Sequence, residues 1–198
     1  RDTEQVADAV RYRENRRYLP GHALEALVEP TDDLELAAAE SEVLFVTVPS
    51  ASFGDVCAQL SKYTKTTDVL VSGTKGIEAD GFRLMSQLLD DMTPSEHVGV
   101  LSGPNFAEEI ADQHYTGTVI ASRSERVRDV VQEVLRNDTF RVYANTDVYG
   151  VELGGALKNI YAIICGLAAG LSVGQNTIGM IITRSSVSYT HLRAHETQ

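Results

Sequence analysis

Short apolar runs rich in β-branched residues recur along most of the chain and predict β-strands. Continuous runs of this kind are typical of strands that are buried on both faces of a parallel sheet. They alternate with helical patterns, which predicts an α/β fold with an open parallel sheet. The predicted strands are residues 43–48, 68–72, 98–102, 117–121 and 139–144.

The first three predicted strands each end in small or polar residues and lead into a helix. Their ends are Pro49-Ser50, Gly73-Thr74-Lys75-Gly76 and Gly103-Pro104-Asn105. Because the carboxyl ends of parallel strands meet at one edge of a sheet, these loops are expected to form a ligand-binding edge. Asn105 and Glu108 have the spacing of a capping box, which predicts a helix whose N-terminus faces the same edge.

Helical periodicity predicts the elements that separate these strands. Ser124 stands where it can cap a helix whose valines recur every third or fourth residue. The predicted helices are residues 2–14, 32–39 and the stretch from Ser124 to Leu135, together with one marked by the apolar stripe Ile77, Met85, Leu88 and Leu89.

The alternation stops where Asn145-Thr146-Asp147 offers cap residues for a long apolar helix, Val148 to Leu171. Residues 160–183 carry no charge, but glycines and polar residues in their middle favour helix, loop and second helix without membrane insertion. The expected organisation is an α/β domain over residues 1–146 and the start of a helical domain over residues 147–185. Residues 186–198 show neither helical nor strand periodicity and are interpreted as an unrelated, artefactual tail.

Lys158 and Asn159 lie within this apolar helix, one turn after Gly154 and Gly155. Burying an ammonium is costly unless the charge is paired or used in chemistry. Each glycine in a helix costs about 1 kcal/mol relative to alanine, so the pair indicates close approach of a ligand or of another backbone. Two interpretations stay open: Lys158 is a functional group beside a ligand, or the glycines serve helix packing and Lys158 reaches the surface.

The formal net charge of −11 over 198 residues argues against nucleic acid as a partner but allows a local site for one phosphate. Cys57 and Cys165 lie in apolar surroundings, which fits reduced thiols in the cytoplasm. The charged start contains no signal peptide and looks internal. His191 and His195 are four residues apart, but no third ligand is evident, so no metal site is expected.

A series of motifs gives the chain a family resemblance from Arg1 to about Arg184. They occur in the order and approximate spacing of the bacterial NAD(P)-dependent glycerol-3-phosphate dehydrogenases. The resemblance implies a Rossmann-like fold and hydride transfer between NAD or NADP and C2 of dihydroxyacetone phosphate or sn-glycerol 3-phosphate, supplying phospholipid synthesis. The motifs are Tyr18-Leu19-Pro20, Val48-Pro49-Ser50, Gly73-Thr74-Lys75-Gly76, Ser102-Gly103-Pro104-Asn105-Phe106-Ala107 and Gly154-Gly155-Ala156-Leu157-Lys158-Asn159.

The resemblance also implies roles for individual residues. Lys158 corresponds to the general acid/base, which burial in an apolar helix would suit by favouring the neutral amine. Lys75 matches a lysine that contacts both substrate and cofactor, where its charge can polarise the C2 oxygen. The remaining implied contacts are Gly103, Asn105 and Asn159 to the substrate, and Arg1, Tyr18, Pro49 and Ala107 to the cofactor.

Some features depart from the family pattern. Asn105 stands where serine or threonine is usual, and Arg1, which would favour the 2′-phosphate of NADP, is the first residue. The glycine-rich turn of the first βα unit is absent, as are the later aspartate and Arg-Asn pair that hold the substrate in the family. The chain is therefore interpreted as an internal fragment whose partial Rossmann-like sheet lacks its first βα unit.

Two other functions stay open on the sequence. Dehydrogenases of the 6-phosphogluconate type also carry a lysine and an asparagine on the long helix, although the turn around Lys75 favours the glycerol-3-phosphate enzymes. A non-catalytic binding module that retained the fold is the other alternative. The expected partners are a small-molecule phosphate and, as an open alternative, a second copy of the chain in a homodimer.

The 198-residue chain by itself is expected neither to bind NADPH tightly nor to catalyse turnover. The physical reason is that no other loop replaces the pyrophosphate contacts of the glycine-rich turn. Fluorescence titration with NADPH checks this expectation, and saturable binding at micromolar concentrations would contradict it.

Overall fold

The computed structural model describes residues 3–194 of the chain, with side chains described for residues 3–185. Each predicted strand is present close to its predicted position. A short 3-10 turn, Ser50–Ser52, precedes α3. The elements are α1 (Thr3–Tyr12), α2 (Leu34–Ala39), β1 (Val43–Val46), α3 (Phe53–Leu60), β2 (Val69–Ser72), α4 (Met85–Met92), β3 (His97–Ser102), α5 (Ala107–Ala111), β4 (Thr116–Ala121), α6 (Glu125–Leu135), β5 (Phe140–Asn145), α7 (Val148–Gly170) and α8 (Gln175–Ala194).

The strands form one sheet in the order β1-β2-β3-β4-β5. β1, β2 and β3 are parallel, with Val43 opposite Val69 and Val69 opposite His97. β4 runs antiparallel to β3, and β5 is parallel to β4. The connection from β3 to β4 contains only α5, none of whose residues is buried, so no helix crosses a face of the sheet to return a parallel strand. The Rossmann-like α/β class is confirmed, with a mixed rather than a wholly parallel sheet.

Helices cover both faces of the sheet, as the unbroken apolar strands predicted. On one face, α2, α3 and α4 bury a cluster that includes Phe53, Leu70 and Leu89. On the other face, α6 buries a cluster that includes Val71 and Val127. Because the adjacent strand residues Leu70 and Val71 are both fully buried, the core occupies both faces and leaves the carboxyl edge of the parallel strands for the loops.

α7 begins at the predicted cap and contacts the sheet at β3. The Asp147 side chain accepts a hydrogen bond from the Gly150 N–H at 2.9 Å, and the predicted helix, loop and helix are confirmed as α7 and α8. The exposed fraction of Ile163 is 64% and that of Leu167 is 62%. Among the described residues, α7 alone is long and apolar enough to cross a membrane, a test that core helices of soluble proteins also pass.

Local expectations differ from the structure at several helix ends. The capping box at Asn105 is wrong, because α5 starts after Phe106 and has no side-chain cap. Ile77 is not in α4; it forms an antiparallel bridge with Leu84, which is the N-cap of that helix. Ser124 is the N-cap of α6, but its hydroxyl bonds to His97 rather than to the helix backbone.

α8 continues to Ala194 and thus includes part of the stretch that lacks periodicity. A helix that has already formed extends one residue at a time and needs no apolar face to do so. The missing periodicity in residues 186–194 therefore did not exclude helix.

Candidate active site at the carboxyl edge of the sheet

The loops that follow β1 and β2 are joined by backbone and side-chain hydrogen bonds. The Gly73 N–H donates to the Val46 carbonyl at 3.0 Å, and the Thr74 hydroxyl donates to the Val48 carbonyl at 2.7 Å. A Cβ added at Gly73 would lie 2.8 Å from the Thr47 side chain. A side chain at position 73 would therefore displace Thr47, where the Gly-Thr-Lys-Gly turn contacts the loop containing Pro49.

The loop after β3 joins this pair through Lys75. The Lys75 Nζ donates a hydrogen bond to the Gly103 carbonyl at 3.1 Å. Gly103 in turn contacts the backbone of β4, because a Cβ added there would lie 2.9 Å from the Gly117 carbonyl oxygen. The predicted meeting of the three loops at one edge is confirmed, and Lys75 connects the second to the third.

We expect Gly103→Ala to lower the free energy of unfolding by about 1–3 kcal/mol, the usual cost of an overpacked site. The added methyl group would meet backbone atoms of Gly117 and Thr118, which belong to a paired strand and move only with it. Urea denaturation measures the change. Gly54→Ala, at a helical position with no atom within 4 Å, is the matched control and is expected to retain stability; equal losses in both variants would contradict the steric explanation.

Asn105 presents a buried acceptor beside these loops. Its Nδ2 donates to the Thr118 hydroxyl at 3.1 Å, and that hydroxyl is also 3.1 Å from the Ser102 carbonyl. The Asn105 Oδ1 is buried and has no hydrogen-bond partner within the described part of the chain. Since buried acceptors normally have a donor, this atom is available to a bound ligand.

A cavity of about 870 Å³ lies against these loops. Its floor is apolar, with Phe45, Leu101 and Phe140 from the sheet. Polar groups from the loops, among them Lys75 and Asn105, lie at its edge. A large apolar cavity with a few converging polar groups is the usual form of a small-molecule site.

The two glycines of α7 have different surroundings. A Cβ added at Gly155 would lie 2.6 Å from the Ser102 hydroxyl, whereas one at Gly154 would meet no atom within 4 Å. Gly155 therefore permits packing of α7 on the end of β3, while Gly154 leaves open space one turn before Lys158. The expected burial of Lys158 is wrong: the side chain is exposed, as are most residues of α7 beyond Gly155.

Lys158 lies near enough to Lys75 to act on its charge. Partial burial of the Lys75 amine, followed by the charge of Lys158, lowers the pKa of Lys75 from its ordinary value. Two adjacent ammonium groups repel each other unless an anion lies between or beside them. This pair is therefore suited to a negatively charged ligand or to charge that develops on an oxygen.

The other sequence-predicted residues are more dispersed. Pro49 lines the cavity, and Asn159 is exposed on α7. Ala107 is the exposed first residue of α5. Tyr18 is 62% exposed and is not among the cavity-lining residues. Arg1 lies outside the described residues.

The histidine pair considered for zinc also lies beyond the described side chains, since His191 and His195 follow residue 185. Among the side chains that the structure describes, no group of three His, Cys, Asp or Glu is arranged to hold a metal ion.

Sequence reasoning did not single out Glu152, which lies in the long apolar helix six residues before Lys158. Its side chain is 3% exposed and accepts hydrogen bonds from Ser86, which lies 66 positions earlier in the chain. The available signal was a carboxylate inside an apolar run, which is costly unless it is hydrogen-bonded.

A Rossmann-like sheet whose loops meet beside a cavity at its carboxyl edge is the architecture of the dinucleotide-binding proteins. Residues 1–128 match the family model described as NAD-dependent glycerol-3-phosphate dehydrogenase N-terminus. Residues 147–195 match the corresponding C-terminus model. The chain belongs to the NAD-dependent glycerol-3-phosphate dehydrogenase family.

Individual relatives agree with this assignment. The glycerol-3-phosphate dehydrogenase [NAD(P)+] of Alcanivorax borkumensis is 51% identical over 185 residues, 93% of this chain and 54% of the relative. That of Teredinibacter turnerae is 47% identical over 192 residues, 97% of this chain and 56% of the relative. The crystal structure of glycerol-3-phosphate dehydrogenase from Coxiella burnetii has a TM-score of 0.90 at 30% identity, covering 96% of this chain and 58% of that one. The chain thus spans about half the length of the curated relatives it matches.

Proposed function

We propose that the intact protein interconverts dihydroxyacetone phosphate and sn-glycerol 3-phosphate by hydride transfer with NADP or NAD, and so supplies glycerol 3-phosphate for phospholipid synthesis. The observation that carries the proposal is the place of Lys75 at the carboxyl edge of the sheet, where its Nζ donates to the Gly103 carbonyl and Lys158 is near enough to lower its pKa, in a chain of this family. A phosphorylated ketone has an anionic phosphate group and a carbonyl oxygen that gains negative charge during reduction. Neighbouring cations can bind the phosphate and stabilise the charge on the oxygen.

The residues at this edge fit a nicotinamide cofactor. The orphaned Asn105 Oδ1 accepts a donor such as an amide or a hydroxyl group. Gly73, Gly76 and Gly103 provide turns without side chains beside a cavity of dinucleotide-compatible size, about 870 Å³. Pro49 and Lys75 would hold the cofactor here, and Ala107, Tyr18 and Arg1 are further proposed contacts. When bound, the nicotinamide ring supplies or accepts the hydride.

The two lysines have separate proposed roles. The Lys158 Nζ gives a proton to the C2 oxygen as the ketone is reduced and takes it back in the reverse direction. The Lys75 Nζ, which the Gly103 carbonyl orients, stabilises negative charge on that oxygen. Gly103, Asn105 and Asn159 are proposed to position the substrate.

A cytoplasmic enzyme without membrane insertion is also proposed. Cys57 and Cys165 are both free thiols, and burial raises the pKa of the Cys57 thiol to about 11, which leaves it unreactive. The exposed apolar residues of α7 favour further burial, by other parts of a longer protein or by a second copy in a homodimer.

A substrate comparison on the intact purified protein tests the activity. NADPH oxidation that depends on dihydroxyacetone phosphate, and NADP reduction that depends on sn-glycerol 3-phosphate, are the expected results. Turnover of 6-phosphogluconate in place of sn-glycerol 3-phosphate would favour the related dehydrogenase type. Saturable NADPH binding without turnover of either substrate would favour the non-catalytic binding module.

A further inference from the structure

We propose that Glu152 is a positioning residue: its hydrogen bonds to Ser86 fix the rotation and axial position of α7 and thereby hold Lys158 beside Lys75. Its importance for catalysis rests on the proposed function. The contact itself is independent of that function, so the two can be tested separately.

Both carboxylate oxygens of Glu152 accept hydrogen bonds from Ser86, in the first turn of α4. Its Oε1 accepts from the Ser86 N–H at 3.0 Å, and its Oε2 accepts from the Ser86 hydroxyl at 2.5 Å. The side chains are 3% and 5% exposed, so water does not replace these bonds. N–H groups in the first turn of a helix lack an acceptor within the helix, and a carboxylate satisfies them and complements the helix dipole.

Burial raises the pKa of Glu152, while the hydrogen bonds from Ser86 and from the Met85 N–H lower it and nearby Asp90 raises it. The hydrogen bonds thus offset part of the cost of burying the carboxylate. A neutral glutamine keeps an acceptor for the Ser86 N–H, and the Ser86 hydroxyl is able to accept from its amide. Glu152→Gln is therefore the conservative replacement.

The spacing along α7 shows how this contact controls Lys158. Gly155 and Asn159 follow Glu152 by three and seven residues, so all three share one face of the helix. Gly155 packs on Ser102, so the same face is held at two points, one on α4 and one on β3. Each residue turns an α-helix by about 100°, so Lys158 lies on the face next to the one that carries Glu152 and Gly155. Gly154, one turn before Lys158, is on that neighbouring face and has open space around it. Rotation of α7 would carry Lys158 away from Lys75.

The amine reactivity of Lys75 reports the position of Lys158 without any assay of activity. Lys158 contributes to the lowered pKa of Lys75, so Lys158→Met is expected to raise that pKa. The rise in this variant gives the largest shift that displacement of Lys158 can cause. Competitive acetylation of the intact protein over a pH series, read by mass spectrometry of the Lys75 peptide, measures it. Glu152→Ala is expected to shift the Lys75 titration in the same direction as Lys158→Met, and Glu152→Gln to restore it.

Thr93→Ala is the matched control for loss of a buried hydroxyl from the same helix. Thr93 is also buried and lies at the other end of α4, where its hydroxyl donates to the Leu89 carbonyl of the same helix at 2.7 Å. Ser86→Ala removes one of the two bonds that Ser86 donates to Glu152 and is expected to shift the Lys75 titration, whereas Thr93→Ala is not. If Glu152→Ala does not fold, Ser86→Ala and Glu152→Gln still decide the question. A Lys75 titration unchanged in Ser86→Ala, or changed equally in Thr93→Ala, would overturn the proposal.

Kinetics separate this inference from the proposed function. Glu152→Ala is expected to lower kcat for dihydroxyacetone phosphate by at least about tenfold, since small misplacements of a catalytic group are costly. The KM for NADPH is expected to stay within about twofold, because Glu152 is not among the residues that line the cavity, and Glu152→Gln should recover most of kcat. Absence of turnover in the unsubstituted protein would contradict the proposed function alone, while the Lys75 titration would still decide the role of Glu152.

Discussion

Replacing Lys158 by methionine is expected to lower kcat for dihydroxyacetone phosphate by at least about 10²-fold, the usual scale for loss of a general acid/base. Methionine approximates the length of lysine but carries no ionisable nitrogen. Because Lys158 is exposed in this chain, its removal leaves no buried cavity and should barely change stability. The loss is therefore expected in the chemical step, not in folding.

Binding of NADPH should change little in Lys158→Met, since the residue is not among those lining the cavity. Single-turnover kinetics with saturating dihydroxyacetone phosphate, together with fluorescence titration of NADPH, measure the two effects separately. A variant that kept kcat within a few-fold of the unsubstituted protein would remove Lys158 from the catalytic role. It would favour the open alternative in which the glycines serve helix packing alone.

Replacing Lys75 by methionine is expected to weaken both ligands, raising the KM for dihydroxyacetone phosphate and the Kd for NADPH by about tenfold or more each. This is the scale of one lost hydrogen bond to a charged group. Lys75 is expected to affect both because it lines the cavity and also contacts the Gly103 carbonyl, at the junction of the second and third loops.

Lys62→Met, at an exposed lysine after α3, is the control for loss of a positive charge and should leave both constants unchanged. The pH dependence adds a second check. The pKa of Lys75 is lowered, so its ammonium is lost at a lower pH than that of an ordinary lysine. Ligand affinity should decline as the pH rises through that value, and this decline should be absent from Lys75→Met. An identical pH profile in both proteins would exclude Lys75 as the titrating group.

Site residues were predictable where the local sequence is energetically unfavourable for folding, such as a charged side chain or glycines within an apolar helix. Lys158 beside two helix glycines and Lys75 on a glycine turn stood out for that reason, and Lys158 lies near enough to lower the pKa of Lys75. Their catalytic roles stay predictions, as do the contacts of Tyr18 and Ala107 and the domain boundaries. Glu152 was missed because a single carboxylate hardly changes the apolar character of a long helix.

The apolar strand runs and their small or polar ends determined, by sequence alone, an α/β sheet with its loops at one edge. Burial on both faces requires apolar residues at every strand position, so this information is local. Tertiary structure alone decided the reversed direction of β4, the exposure of Lys158 and the contact of Glu152 with Ser86. Each depends on groups far apart in the chain, and no pattern within one segment specifies which distant donor, strand or open space a side chain will meet.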